Sequence, residues 1–358
     1  MSSPQPKFQL AVISPGGKDK QQSFDSGAGS LNSGGHLPLN FHAYAACTLG
    51  TYGCNHSVSL EPSNVLLLIG GKMERALHTL RALKKAGHTV VITLKETGLA
   101  QIGGHFQTFE NWTAFRKICL EADAALATTF DTLPLYQSAN RQLPTAFIPP
   151  PYPVEESEWN ISRLVTQESK GVFVGTRQLF VTSRNHALAL SLIAPLTAEL
   201  NEPLTVISGR VSDLSGMKRL LNKARDFSHA WHQQFSQTAA HVQVVAKQMP
   251  ALDYLKLMAT HKFVFQLDTS AVPGQVAGDA LLCRIPCVGG NGTAERLVYP
   301  DLCGHGRSTG EIMDLTRRLL TDSSFRQAQM EQALALAKEK MCFSVIRDQL
   351  QDFYQSLG

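Results

Sequence analysis

Short apolar runs alternate with stretches of helical spacing along most of the chain. The pattern is clearest from Asn64: NVLLLIGG reads as a buried strand ending in glycines, Ala76, Leu77, Leu80 and Leu83 recur at helical spacing over 73–86, Gly87 closes that helix, and HTVVITL reads as a second strand. The same logic predicts helices over 111–121 and 133–140 and strands over 124–129 and 145–148. Upstream, the apolar run 8–13 is followed by a Gly/Ser-rich segment, 14–35, with neither helical nor strand period. It is expected to be a long mobile loop or lid. A helix over 39–49 follows.

Proline then accumulates in IPPPYPVEESEW, 148–159, where missing backbone donors and fixed φ angles stiffen the chain and mark a boundary. Beyond it the alternation restarts. GVFVGT, PLTVIS, HVQVVA, KFVFQL and PCVGG read as strands, with helices expected near 185–200, 215–227, 251–260 and 273–283, and 310–357 reads as helical throughout. The expected fold class is α/β, with two doubly wound, Rossmann-like domains facing a cleft: residues 1–150, residues 151–340, and a last helix over 341–358 that packs back on the first domain. In such folds ligands sit at the carboxyl ends of the strands.

Composition narrows the function classes. With 43% hydrophobic and 17% charged residues, the 358-residue chain has material for two cores and no sign of global disorder. Its net charge of +4 comes from 33 basic and 29 acidic residues, interspersed rather than blocked. That argues against a dedicated nucleic-acid arm and suits a phosphate-bearing ligand without demanding one. Seven widely spread cysteines, several inside apolar runs, read as reduced thiols in a cytoplasmic protein. The opening residues lack a secretory pattern and no run reaches membrane-spanning length, so a soluble protein is expected.

Phosphate chemistry needs cations and backbone N–H groups where negative charge gathers, and strand-to-helix turns supply the latter. After the strand GVFV come Gly175 and, two residues on, Arg177, with Arg184 seven residues later just before a helix; these two cations either clamp a diphosphate or are two surface arginines. The segment DTSAVPGQVAGDALLCRIPC joins a hydroxyl-rich turn, Thr269 and Ser270, to a helix start at Gly274 and Gln275 whose amides suit phosphate. Asp279 on that helix is either a ribose ligand or a partner of the helix dipole. GGNGTAERL places Gly289 and Gly290 in a turn before Glu295, which permits close approach of a ligand or simply a positive φ. Chain-wide there is no His-x-Glu, Cys-x-x-Cys, Asp-x-Asp or acidic metal cluster, so no metal and no resident cofactor are expected.

In order and register, VFVGTRQLFVTSRNHALAL, PLTVISGR, HVQVVA, ALDYLKLMATHKFVFQLDTS and VPGQVAGDALLCRIPCVGGNGTAERL resemble the C-terminal donor domain of retaining GT-B glycosyltransferases of the glycogen-synthase-like group (glycosyl transferases group 1), over about residues 171–300. IPPPYP resembles the segment crossing into that domain. The resemblance implies an acceptor-side first domain and a nucleotide-sugar donor-binding second domain. It also implies a metal-independent transferase acting with retention on a UDP- or GDP-linked sugar. Arg177 and Arg184 take the place of the catalytic basic pair on the donor diphosphate, Asp279 that of the ribose ligand, and Gly289, Gly290 and Glu295 that of the Gly-rich turn and following acid. Gly16 and Gly17, with Lys18, are preferred for the Gly-rich loop after the first strand, and Gly70, Gly71 and Lys72 compete for that place. Val272 stands where the family has the first glutamate of a paired motif, and Asp279 shortens the second. The resemblance does not name the acceptor, whether glycan, lipid-linked glycan, protein or nucleic acid. Two alternatives stay open: a catalytically inactive nucleotide-sugar- or partner-binding module, supported by Val272, and a nucleic-acid-base glycosyltransferase.

Overall fold

A computed structural model describes residues 8–31, 35–54, 63–175, 181–207, 241–245 and 249–358. The chain divides into two compact units, one of residues 1–156, 271–273 and 338–358, the other of residues 157–270 and 274–337.

Unit 1 runs β1 (Leu10–Ile13), β2 (Gln22–Ser23), α1 (Phe41–Cys47), β3 (Thr51–Gly53), β4 (Asn64–Ile69), α2 (Met73–Lys85), β5 (Thr89–Leu94), α3 (Leu99–His105), α4 (Phe109–Glu121), β6 (Ala124–Ala127), α5 (Leu133–Ala139) and β7 (Thr145–Phe147). Its seven-stranded sheet has the order β2-β3-β1-β4-β5-β6-β7, parallel except for the β2–β3 pair. The centre of the sheet is apolar on both faces because crossover helices cover both: β4 is buried from Val65 to Ile69. α2 turns Met73, Ala76, Leu77, Leu80 and Leu83 inward, and Phe115, Ile118 and Cys119 of α4 join the same core. Tyrosine hydroxyls meet backbone polar groups inside this unit, Tyr44 donating to the Ile148 carbonyl and Tyr136 accepting from Leu94 N–H, both at 2.8 Å.

Unit 2 runs β8 (Val172–Val174), α6 (His186–Glu199), β9 (Leu204–Ile207), β10 (Val242–Val245), α7 (Ala251–Ala259), β11 (Phe263–Gln266), α8 (Gln275–Cys283), β12 (Cys287–Gly289), α9 (Thr293–Val298), α10 (Thr309–Thr321) and most of α11 (Ser323–Lys340). Its five strands are all parallel, in the order β10-β9-β8-β11-β12. Strand order therefore reverses between β8 and β11, and that is where a doubly wound sheet opens its ligand crevice. The last helix, α12 (Phe343–Gln355), belongs to unit 1, where the Tyr354 hydroxyl donates to the Val65 carbonyl at 2.8 Å.

Some expectations need correction. The segment 14–35 is not wholly loop: Gln22 and Ser23 pair antiparallel with β3, a strand too short to leave a period. The helix α3 was not anticipated because it buries no residue and so carries no apolar stripe. The helical tract 310–357 is three helices. Asp322 has extended backbone and its carboxylate accepts from Phe325 N–H at 2.8 Å, ending one helix and capping the next, and Cys342 breaks the chain again. The helix expected near 215–227 lies outside the described residues.

Candidate functional site

Unit 2 gathers most of the candidate residues at the carboxyl edge of its sheet. After β8 a 3-10 turn, Thr182–Arg184, stands directly before α6, and the loop leaving β11 is Leu267 to Gly274. The two loops are sewn together across the switch point. Thr269 N–H and Oγ1 both donate to the Ser183 carbonyl, at 2.9 and 3.1 Å, and the Ser183 and Ser270 hydroxyl oxygens are hydrogen-bonded at 2.9 Å. Asn185 sits in the left-handed region at φ +52° and donates its side-chain amide to the Leu267 carbonyl at 2.9 Å.

Arg184 stands in this seam. Its guanidinium is 4.0 Å from Asp268 Oδ2, and its Nε is buried with no hydrogen-bond partner among the described residues. Asp268 is buried, its Oδ1 accepting from Ser270 N–H at 2.7 Å and from Ser270 Oγ. Behind Arg184, burial and the neighbouring guanidinium push the His186 imidazole down to about 4, so it is neutral and leaves Arg184 the local positive charge. Arg177 lies outside the described residues. Gly175, buried at the end of β8, has no room for a side chain: a Cβ would lie 2.8 Å from the Phe173 ring.

A second cluster surrounds the start of α8. Gly274 caps that helix at φ +84°, and a Cβ there would fall 2.2 Å from Glu295 Oε2. Gly290 presses on the other carboxylate oxygen, its Cβ position 3.0 Å from Oε1, while Gln266 donates its amide to Oε1. Oε2 of Glu295 is buried without a partner, and burial pushes the carboxyl up to about 7 despite the Gln266 bond. Gly289, at φ +79°, lets the chain pass the Gln266 carbonyl, which a Cβ would approach to 1.9 Å. Gln275 is exposed in the first turn of α8, whereas Asp279, one turn later, is only 2% exposed and held inside.

The two clusters share β11: Gln266 ends that strand against Glu295, and Asp268 follows against Arg184. Ser183, Asn185, Gln266 and Asp268 had not been singled out as site residues. Asp268 was legible as an acid immediately after a buried strand, but its proximity to Arg184 depends on the long-range join between two loops.

In unit 1 the carboxyl edge is also glycine-rich. Gly16 has φ +71°, and Arg75 occupies the place of its missing side chain, with Nη1 1.9 Å from a built Cβ. Gly17 N–H donates to the Ser14 carbonyl at 2.9 Å, and Cys54 Sγ lies 2.6 Å from its Cβ position. Lys95 donates to Ser14 Oγ at 3.2 Å. The competing Gly70, Gly71 and Lys72 follow β4, the neighbour of β1, so both glycine turns lie at the β1–β4 switch point of this sheet. Among the described residues no group of three or more His, Cys, Asp or Glu is arranged to hold a metal ion, and no helix is long and apolar enough to cross a membrane.

No protein-family model matches the chain, and no curated protein matches it. Solved structures do. The chain is similar to a sucrose-phosphate synthase from Thermosynechococcus elongatus at 13% identity, covering 84% of this chain and 74% of that one with a TM-score of 0.59. It is similar to the E. coli trehalose-6-phosphate protein bound with UDP-2-fluoro glucose at 12% identity, 82% and 74% coverage and a TM-score of 0.60. An α,α-trehalose 6-phosphate synthase from Burkholderia multivorans shares 13% identity over 98% of this chain and 97% of its own, with a TM-score of 0.58. These likenesses, with the two doubly wound parallel sheets, give the chain the fold of the GT-B glycosyltransferases.

Proposed function

We propose that the protein is a glycosyltransferase that takes a sugar from a nucleoside diphosphate donor, UDP- or GDP-linked, at the β8–β11 switch point of unit 2. The observation that carries this reading is Arg184: a buried-edge cation whose guanidinium Nε has no partner among the described residues, between two loops at the place where a doubly wound sheet binds phosphate-bearing ligands. As the glycosidic bond breaks, negative charge grows on the leaving diphosphate, and Arg184 is preorganised to meet it; one well-placed donor of this kind is worth about 3 kcal/mol in a transition state. The exposed start of α8 at Gln275 adds backbone N–H groups and the positive end of a helix dipole. No nucleophilic side chain is required by this reading, so catalysis is electrostatic and positional; a metal-independent, retaining transfer is what the resemblance to the retaining GT-B enzymes implies. Arg177 shares the diphosphate and Asp279 holds the ribose. The similar structures support a phosphorylated-sugar context: one holds UDP-2-fluoro glucose, and one from Burkholderia xenovorans is a complex with glucose-6-phosphate. The protein acts in the cytoplasm, and its acceptor is left open.

A second reading, a module that binds nucleotide sugar without turnover, rests on Val272 in the place of a family glutamate. Calorimetry and thermal shift against UDP, GDP, ADP and dTDP and their sugars, on wild type and Arg184→Ala, test the first reading. It expects a nucleotide-specific rise in Tm that Arg184→Ala abolishes. Binding by neither protein removes the donor site, and binding without hydrolysis or transfer selects the second reading.

A further inference from the structure

We propose that Asp268 is a counter-charge that holds Arg184 paired while the site is empty and yields it to the donor diphosphate, so that it limits how tightly the nucleotide product is kept. The inference rests on the donor-site reading of Arg184 and adds a control on that site.

The hydrogen bonding of Asp268 is directed away from Arg184. Its Oδ1 accepts from both the backbone N–H and the hydroxyl of Ser270, and these bonds fix the carboxylate on its own loop. Toward Arg184 it offers only Oδ2, at 4.0 Å, with no hydrogen bond between the two groups. The carboxylate therefore does not clamp the guanidinium by geometry; it acts on it by charge. Among the described residues the Arg184 Nε has no partner, so its directional bonding capacity is held for something else. A buried carboxylate beside Arg184 is costly for a diphosphate ligand, because charges in this environment interact through an effective dielectric far below that of water. A site selected only for tight phosphate binding has no use for that arrangement. A site that must release a nucleoside diphosphate after each turnover does, since Asp268 recovers Arg184 as the product leaves.

The test is a double-mutant cycle read by calorimetry and stopped-flow release with UDP and with GDP, each alone. Asp268→Asn keeps the acceptor that Ser270 uses and removes the charge. We expect it to tighten the Kd of the bound nucleotide by about tenfold, mostly through slower dissociation. In an Arg184→Gln background the same change is expected to have a clearly smaller effect, because the share that runs through that cation is gone and only the direct repulsion of the ligand by Asp268 is relieved. Asp268→Asn binding no tighter than wild type, while Arg184→Gln binds more weakly, overturns the counter-charge and leaves Asp268 a loop anchor. Arg184→Gln binding both nucleotides as wild type does overturns the donor-site reading itself, and the inference with it. Should Asp268→Asn fail to fold, Asp268→Ser, which keeps a short polar group at the Ser270 turn, carries the same cycle.

Discussion

Gln266 donates its side-chain amide to Glu295, joining the end of β11 to the start of α9 inside unit 2. That bond favours the carboxylate form, yet burial outweighs it and the carboxyl titrates at about 7 instead of its ordinary 4.5. The sign for stability follows from proton counts. Between pH 4.5 and 7 the folded state holds a proton on Glu295 that the unfolded chain has lost, so stability falls as pH rises through this window and levels off above it. At about 1.4 kcal/mol per unit, Glu295 contributes a loss of about 3 kcal/mol across it. Urea denaturation of wild type and Glu295→Gln at pH 5 and pH 8 measures this. The variant is expected to gain on wild type by about 2.5 kcal/mol at pH 8 relative to pH 5, since part of the window lies below pH 5; an unchanged difference between the two proteins at both pH values would show that the carboxyl titrates normally.

Gly274 meets the same carboxylate from the other side. At φ +84°, with a Cβ position 2.2 Å from Glu295 Oε2 and 2.9 Å from the Ala294 backbone nitrogen, it combines a left-handed backbone with a contact that no rotamer change at position 294 relieves. Gly274→Ala is expected to destabilise the protein by about 2–4 kcal/mol, above the usual effect of a single exposed substitution. A shift in the urea midpoint with unchanged m-value checks it, and a neutral substitution would show that α8 starts equally well without glycine.

How far the site could be read from the chain follows the range of the interactions that build it. The glycines at 274, 289 and 290 stand beside strand ends and helix starts in the sequence, and all three have positive φ in the structure, because a sharp turn at a fixed place is a local requirement. The central parallel strands β4, β5, β8, β9 and β11 were equally local signals, each an apolar run buried on both faces. The antiparallel strand at Gln22 and Ser23 was not, since two residues carry no period and their pairing comes from β3, nearly thirty positions later. Asp268 and Ser183 were passed over for the same reason. The contacts of Asp268 with Arg184 and of Ser183 with Ser270 span 84 and 87 positions in the chain, so these roles exist only once β8 and β11 lie side by side.

Asn185 offers a test of the seam that holds Arg184. Its left-handed backbone, at φ +52°, is one that asparagine tolerates better than most residues, and its side-chain amide reaches the Leu267 carbonyl at 2.9 Å while its own carbonyl receives Ala189 N–H at 2.8 Å in α6. Two variants separate the backbone from the hydrogen bond. Asn185→Gly keeps the conformation and loses only the amide, for a cost of about 1 kcal/mol. Asn185→Ala loses the amide and takes on left-handed strain, and a further loss of about 1 kcal/mol is expected. Both leave Arg184 in the chain but release the turn that carries it, so UDP affinity is expected to fall in both and further in the alanine variant. Equal stability of the two variants would mean that the left-handed turn relaxes freely. Equal UDP affinity in wild type and both variants, with stability ordered as expected, would mean that the position of Arg184 is set by the Thr269 and Ser270 bonds to Ser183 alone.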